Sequence, residues 1–120
     1  MRHLAACTAI LVLAAACTSP AAAPADLLAA LCDAAAAPDV ETAREAFDVR
    51  AHQPLHDLAD DLSTVDRTTT AALLQAKYVV ESALAGQDPA PLPVLTTRLE
   101  ALVEVTREGL VALDRPAPAC

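Results

Sequence analysis

The sequence predicts an all-α fold: a small up-down bundle of about four helices, the second kinked at Pro54, following an N-terminal signal peptide. Composition favours helices over sheets. Alanine is abundant, only Phe47 and Tyr78 are aromatic, and the 120 residues contain 2 glycines, whereas strands depend on aromatic and β-branched side chains. Leucine and valine recur at steps of three and four residues, which places apolar side chains on one face of each helical segment.

The first two predicted helices are delimited by proline and by a capping residue. The first spans about residues 25 to 37 and ends before Pro38. Its apolar residues are Leu27, Leu28 and Leu31. Asp39 can cap the start of the second helix. The apolar stripe of that helix consists of Phe47, Ala51, Leu55, Leu58, Leu62 and Val65. Pro54 interrupts its hydrogen bonding, so either the helix kinks there or two short helices meet with Pro54 in the first turn of the second.

Asp66 and Gly86 delimit a third predicted helix over residues 67 to 85, as an N-cap and a C-terminal stop. Its apolar face consists of Leu73, Ala76, Val80, Ala83 and Leu84. A proline-rich linker leads to a last helix over about residues 93 to 114. Its stripe consists of Leu95, Leu99, Leu102, Thr106, Leu110 and Leu113. Gly109 inside this helix costs about 1 kcal/mol relative to alanine, so it is a candidate for a close contact between helices.

The first 16 residues have the pattern of a secretory signal peptide. Arg2 and the amino group supply positive charge, and residues 4 to 16 are apolar or small except for Thr8. A helix of about 13 residues is roughly 20 Å long, shorter than the roughly 30 Å core of a bilayer. The segment therefore predicts export rather than a permanent membrane span. We divide the chain into a signal peptide (1–16), a tether rich in proline and alanine (17–24) and a helical bundle domain (25–120).

The residues before Cys17 resemble the lipobox of bacterial lipoproteins. They are Leu13-Ala14-Ala15-Ala16; Ala14 stands where the family usually has leucine, and Leu13 lies one position too early. A second match ends at Cys7, but only three residues precede it, too few for a signal. The resemblance implies a lipid, such as palmitate, on Cys17 and anchorage at the outer face of the cell membrane. Ordinary secretion of a soluble chain remains the alternative, because Ala14 and Ala16 also satisfy the small-residue rule for signal cleavage.

Arginine outnumbers lysine seven to one. We interpret this preference as the coding bias of a high-GC genome, as in actinobacteria. The resemblance is therefore to small actinobacterial-type lipoproteins, and it covers only the first 24 residues. It implies nothing about the activity of the domain that follows.

The number of cysteines also favours a lipid on Cys17. Cys7 leaves with the signal peptide, so a lipid on Cys17 leaves Cys32 and Cys120 as an even pair. The last six residues can extend about 20 Å, enough to return from the end of the last helix to the first helix of an up-down bundle. The sequence therefore predicts a disulfide between Cys32 and Cys120, which would contribute about 4 kcal/mol to stability by the chain-entropy model.

One stretch of the second helix has the spacing of a metal site. His52, His56 and Asp60 follow at intervals of four residues. Imidazoles at i and i+4 can share Cu²⁺ or Zn²⁺, and a carboxylate can complete the set. The alternative is two solvated histidines, with Asp60 pairing with His56. Neither HExxH nor CxxCH occurs, so apart from copper or zinc the sequence implies no cofactor.

Charge and motif content exclude several classes of function. The net charge of −8 opposes binding to phosphate backbones, so we expect no nucleic-acid partner. Nucleophile elbows and glycine-rich phosphate loops are absent, and we predict that the protein is not an enzyme. We expect an exported, lipid-anchored module at the cell surface that binds a protein or small ligand. The alternative is a copper- or zinc-binding surface lipoprotein that uses His52 and His56.

Overall fold

The computed structural model describes residues 24–120, and this part of the chain is helical without strands. Its elements are α1 (Pro24–Ala35), α2 (Val40–Ala46), a π-helical segment (Phe47–Ala51), α3 (His52–Leu62), α4 (Arg67–Leu84) and α5 (Leu92–Ala112). With α2, the π segment and α3 counted as one interrupted helix, these elements form the predicted four-helix, all-α bundle. The signal peptide and Cys17 lie outside the described residues, as does the predicted tether except Pro24, which begins α1.

Helix α5 packs against α4 and α1 and also contacts α3, while α1 in addition contacts α2 and the π segment. Near the C-terminal end of α5, Gly109 lies against Leu62 at the end of α3 and Thr69 at the start of α4. Within residues 24–120, none of the helices combines the length and hydropathy needed to cross a membrane.

The predicted helix ends are formed by local hydrogen bonds. The backbone N–H of Thr42 donates to Asp39 Oδ1 at 2.8 Å, and that of Thr69 donates to Asp66 Oδ1 at 2.9 Å. These bonds stabilise the ionised carboxylates, so the pKa of Asp39 and the pKa of Asp66 lie below their ordinary values. After α4 the chain reverses at Gly86, whose φ of +76° is the left-handed conformation that glycine adopts without strain.

The predicted apolar stripes form the core, with a few departures at their edges. The largest fully buried side chains are Phe47, Leu28, Leu31, Leu55, Leu62, Leu73, Leu95, Leu99, Leu102, Leu110, Val80 and Thr106. Val65, predicted as the last member of the second stripe, is instead 61% exposed. The reason is that α3 ends at Leu62, so Val65 lies in the turn before α4. Gly109 does mark a close helix contact, because a Cβ there would lie 2.8 Å from Leu62 Cδ1.

Pro54 lies in the first turn of α3, and the π segment that interrupts the helix lies just before α3. The backbone N–H of His52 donates to the carbonyl of Phe47, five residues earlier, which defines the π turn. Proline has no N–H to donate to the carbonyl four residues before it, and its ring crowds that carbonyl. For Pro54 this carbonyl belongs to Arg50, inside the π segment. Of the two predicted arrangements, the structure therefore has two short helices that meet with Pro54 in the first turn of the second.

The predicted disulfide joins Cys32 of α1 to Cys120, with the two Cα atoms 5.5 Å apart. Residues 115–120, which we call the C-terminal tail, turn back after α5. On the return path the carbonyl of Pro118 accepts a hydrogen bond from Arg107 Nη2 at 3.2 Å. The tail therefore runs beside α5 and ends at α1, where the sequence predicted it.

Candidate functional site

The most unusual side chain of the bundle is Lys77, the only lysine in the protein. It lies on α4 among core residues and is 4% exposed. A lysine this buried requires partners, because transfer of an ammonium group out of water is strongly unfavourable unless it is paired and hydrogen-bonded. Its environment is therefore the first place to look for a functional site.

Glu81 and His52 supply those partners. Lys77 Nζ donates to Glu81 Oε1, one turn further along α4, and lies 3.4 Å from His52 Nε2 of α3. His52 Nε2 is 2.9 Å from the same Glu81 oxygen. Partial burial alone would raise the pKa of Glu81, but the hydrogen bond from Lys77 and the nearby positive charges outweigh it, and the pKa lies below its ordinary value. Glu81 is thus an anion shared between two helices.

The geometry also assigns the proton on His52. Glu81 is ionised and can only accept, so the short contact requires a hydrogen on His52 Nε2. In neutral His52 the lone pair then resides on Nδ1. Lys77 and His52 consequently both donate to Glu81 Oε1 rather than to each other.

Two rings flank His52 at the junction between the π segment and α3. Phe47 lies edge-on to it, with centroids 6.2 Å apart, and His56 is likewise edge-on at 5.0 Å. His56 is exposed, whereas the His52 side chain is 42% exposed. The π segment directly precedes His52 and so sets the point on the helix from which the His52 side chain reaches Glu81 of α4. The name His–Glu–Lys cluster is used below for His52, Glu81 and Lys77.

The predicted metal set is only partly brought together. His52 and His56 are neighbours, but His52 Nε2 is occupied by Glu81. Asp60 is exposed, and its backbone carbonyl accepts hydrogen bonds from the hydroxyl and the backbone N–H of Ser63. Within residues 24–120 its carboxylate forms no hydrogen bond with His56. Among residues 24–120, no group of three or more His, Cys, Asp or Glu side chains could hold a metal ion. Binding of copper or zinc by the histidine pair therefore stays a prediction, without Asp60 as a positioned third ligand.

Two glutamates of α5 lie in local structural settings. Glu104 pairs with Arg107 at 2.5 Å, as expected for two residues three apart on a helix. Glu100 lies beside the disulfide, in a hollow described below. Sequence reasoning missed Lys77 as a core residue. A signal was present, since Lys77 continues the four-three-four rhythm of Leu73, Val80 and Leu84.

Open hollows occur on the outer side of the π segment. Two shallow cavities of about 340 and 380 Å³ share Val49 and Arg50 as lining residues. Val49 is 76% exposed, and Arg50 Nη1 donates to Asp33 Oδ2 at 2.7 Å. The surface there combines an exposed apolar side chain with a fixed ion pair, which suits contact with a partner better than enclosure of a substrate.

The chain matches no protein-family model, no curated protein and no solved structure. The function of the protein must therefore be argued from its own residues.

Proposed function

We propose that this protein is an exported helical module anchored through a lipid on Cys17 at the outer face of the cell membrane. The observation that carries the proposal is the pairing of Cys32 with Cys120. Disulfides persist in oxidising compartments outside the cytoplasm. With Cys7 removed in the signal peptide, this pairing leaves Cys17 as the one thiol available for a different use. The lipobox-like residues before it supply that use.

Metabolic labelling with a palmitate analogue tests the anchor. The full chain is expressed in a bacterium that processes lipoproteins, and label and membrane fractionation are followed together. We expect Cys17→Ser to abolish labelling and membrane association. The matched control is Cys7→Ser, which changes the other cysteine near the N-terminus and should retain both. Soluble, unlabelled wild-type protein in the medium would instead show that the chain is simply secreted.

We propose further that the module is not an enzyme and acts by binding a protein or small ligand. Support comes from the way its ionic side chains are tied to one another. The His–Glu–Lys cluster is internally paired, Arg115 pairs with Asp61 at 2.6 Å and Arg50 with Asp33. These side chains pair with one another, which favours a binding role over catalysis. The exposed Val49 beside the hollows of the π segment is the contact surface favoured by this reading.

A photo-crosslinking amino acid placed at Val49 tests the binding surface in the native host. Val111 on α5 is a matched control, because it is also an exposed valine, at 61% against 76%. A discrete adduct from position 49 that is absent from position 111 supports a partner at the π segment. Equal, diffuse labelling from both positions would contradict this surface.

The alternative function, copper or zinc binding, is supported by the 5.0 Å separation of the His52 and His56 rings. Calorimetry of the exported protein with Cu²⁺ and with Zn²⁺ decides it. Dissociation constants in the micromolar range or tighter, lost in both His52→Ala and His56→Ala, would support a metal protein. Asp60→Asn is the control that should leave the affinity unchanged, because the exposed Asp60 carboxylate makes no hydrogen bond or ion pair with His56 in the described part of the chain.

A further inference from the structure

The C-terminal tail is held to the bundle mainly by its covalent bond. Helix α5 ends at Ala112, and Asp114 has a φ of +54°, which turns the chain back. Pro116 and Pro118 have no N–H groups, so neither can donate a backbone hydrogen bond. Residues 118 to 120 are exposed, and the apolar contact of the tail with the core is made by Ala117.

Apart from the Arg115 backbone N–H, which donates to the carbonyl of Leu110 at 2.8 Å, and the packing of Ala117, the noncovalent contacts of the tail lie at the surface. Arg107 donates to the carbonyl of Pro118 at 3.2 and 3.4 Å from two of its nitrogens. Arg115 pairs with Asp61, and both side chains are more than a third exposed. Exposed contacts of this kind contribute little, because water competes for each group. The disulfide is therefore the element that keeps residues 116 to 120 in place.

The disulfide lies beside the boundary between α1 and α5, which we call the α1–α5 seam. A hollow of about 300 Å³ there is lined by Ala35, Ala36, Glu100 and Val103 together with the two cysteines. None of the leucines of α1 lines this hollow, and with the tail in place Leu27, Leu28 and Leu31 are at most 3% exposed. Release of the tail would therefore uncover the residues that do line it, which are Ala35, Ala36, Glu100 and Val103.

We propose that the Cys32–Cys120 disulfide is a redox-operated latch, whose reduction frees the C-terminal tail and opens the α1–α5 seam while the bundle stays folded. The inference does not depend on whether Cys17 carries a lipid. It assigns to the bond a role in access to the seam, in addition to its role in stability.

The difference in exposure between the two cysteines sets the direction of the reaction. Cys120 is exposed, whereas Cys32 is half-buried in α1. A thiolate of a dithiol reductant attacks the Cys120 sulfur, forms a mixed disulfide and releases the Cys32 thiolate, which takes up a proton. The second thiol of the reductant, as its thiolate, then displaces Cys120, which leaves as a thiolate and is protonated. Two electrons pass to the protein, which gains two thiols, and the reductant becomes a disulfide.

Reduction of the exported protein by dithiothreitol in native buffer tests the latch. Iodoacetamide trapping and intact mass measure the rate at which two thiols appear. Because Cys120 is exposed, we expect this rate to lie within about tenfold of the rate in concentrated urea. Reduction that proceeds only in urea would overturn the proposal, since it would require the bundle to unfold first.

Nuclear magnetic resonance of the reduced protein then distinguishes a latch from a disulfide that is required for the whole bundle to stay folded. Heteronuclear NOE values of Ala117 and Ala119 should fall to those of a flexible chain, and shift changes should centre on Ala35, Ala36 and Val103. Loss of chemical-shift dispersion throughout the bundle would contradict the latch, as would an unchanged, ordered tail. The Cys32→Ser/Cys120→Ser variant should reproduce the reduced spectrum, so that an effect of dithiothreitol itself is distinguished from loss of the bond.

Discussion

The two partners of the buried ion pair on α4 should respond to substitution with very different costs. Lys77 has a side chain that is 5% exposed, whereas the side chain of Glu81 is 34% exposed. Removal of Glu81 leaves a buried ammonium group without its anion. Removal of Lys77 leaves a carboxylate that still reaches water and still accepts from His52 at 2.9 Å. The two substitutions therefore differ in cost because the Lys77 ammonium group is buried and the Glu81 carboxylate is partly exposed.

The magnitudes can be worked from these exposures. Loss of one partner from a fully buried pair typically costs about 3–5 kcal/mol. The Lys77 end of the pair is buried but Glu81 is partly hydrated, so we expect Glu81→Gln to destabilise by about 2–3 kcal/mol. Lys77→Met keeps the apolar stem and removes the cost of burying a charge, so we expect a change between zero and a stabilisation of about 1 kcal/mol.

Urea unfolding followed by far-ultraviolet circular dichroism at pH 7 measures both variants. Glu104→Gln serves as the matched control, because it removes a glutamate from an exposed ion pair on α5 and should cost about 0.5 kcal/mol or less. If Glu81→Gln costs no more than this control, or if Lys77→Met is the more damaging change, the assignment of the desolvation cost to Lys77 is wrong. The double variant should lie close to the wild type.

Three further measurements test the packing and the charges. Gly109→Ala should destabilise by about 1 kcal/mol, since overpacking against Leu62 outweighs the gain in helix propensity; additivity with Leu62→Val in a double-mutant cycle would argue against that contact. Thr106→Val should stabilise by about 1 kcal/mol in thermal unfolding, because Thr106 Oγ1 is buried without a hydrogen-bond partner in the described part of the chain; destabilisation would indicate a bound water there. Stability should fall as the pH drops below about 4.5, because the pKa values of Glu81 and Asp66 are lowered in the folded state: their contribution is present above their unfolded values and is lost as the pH falls through the folded ones. An acid titration of the Glu81→Gln variant should show a shallower loss than the wild type, and an identical slope would contradict this account.

Local rules predicted the helices of this protein because most of its segments obey them. Asp39, Asp66 and Gly86 lie at the helix ends where capping chemistry places them. The leucine stripes face the core because removing apolar side chains from water is favourable. The disulfide followed from the count of cysteines and the reach of the tail.

The candidate site was less predictable because it depends on neighbours that are distant in sequence. Lys77 is tolerated in the core only because Glu81 lies one turn away and His52 arrives from another helix 25 residues earlier. Lysine is usually exposed, whereas the spacing of the apolar residues around Lys77 indicates a core position, so the two signals conflict. The position of the π turn ahead of Pro54 likewise depends on how the backbone absorbs a missing hydrogen bond.

The bond between residues separated by 88 positions also makes most of the described chain a closed covalent ring. Helices α2 to α5 all lie inside it. A protease that cuts one connecting segment, such as the exposed turn around Gly86, leaves the two pieces joined by the disulfide as one branched molecule instead of two separate fragments. One such nick would leave every helix still attached to the others through the disulfide.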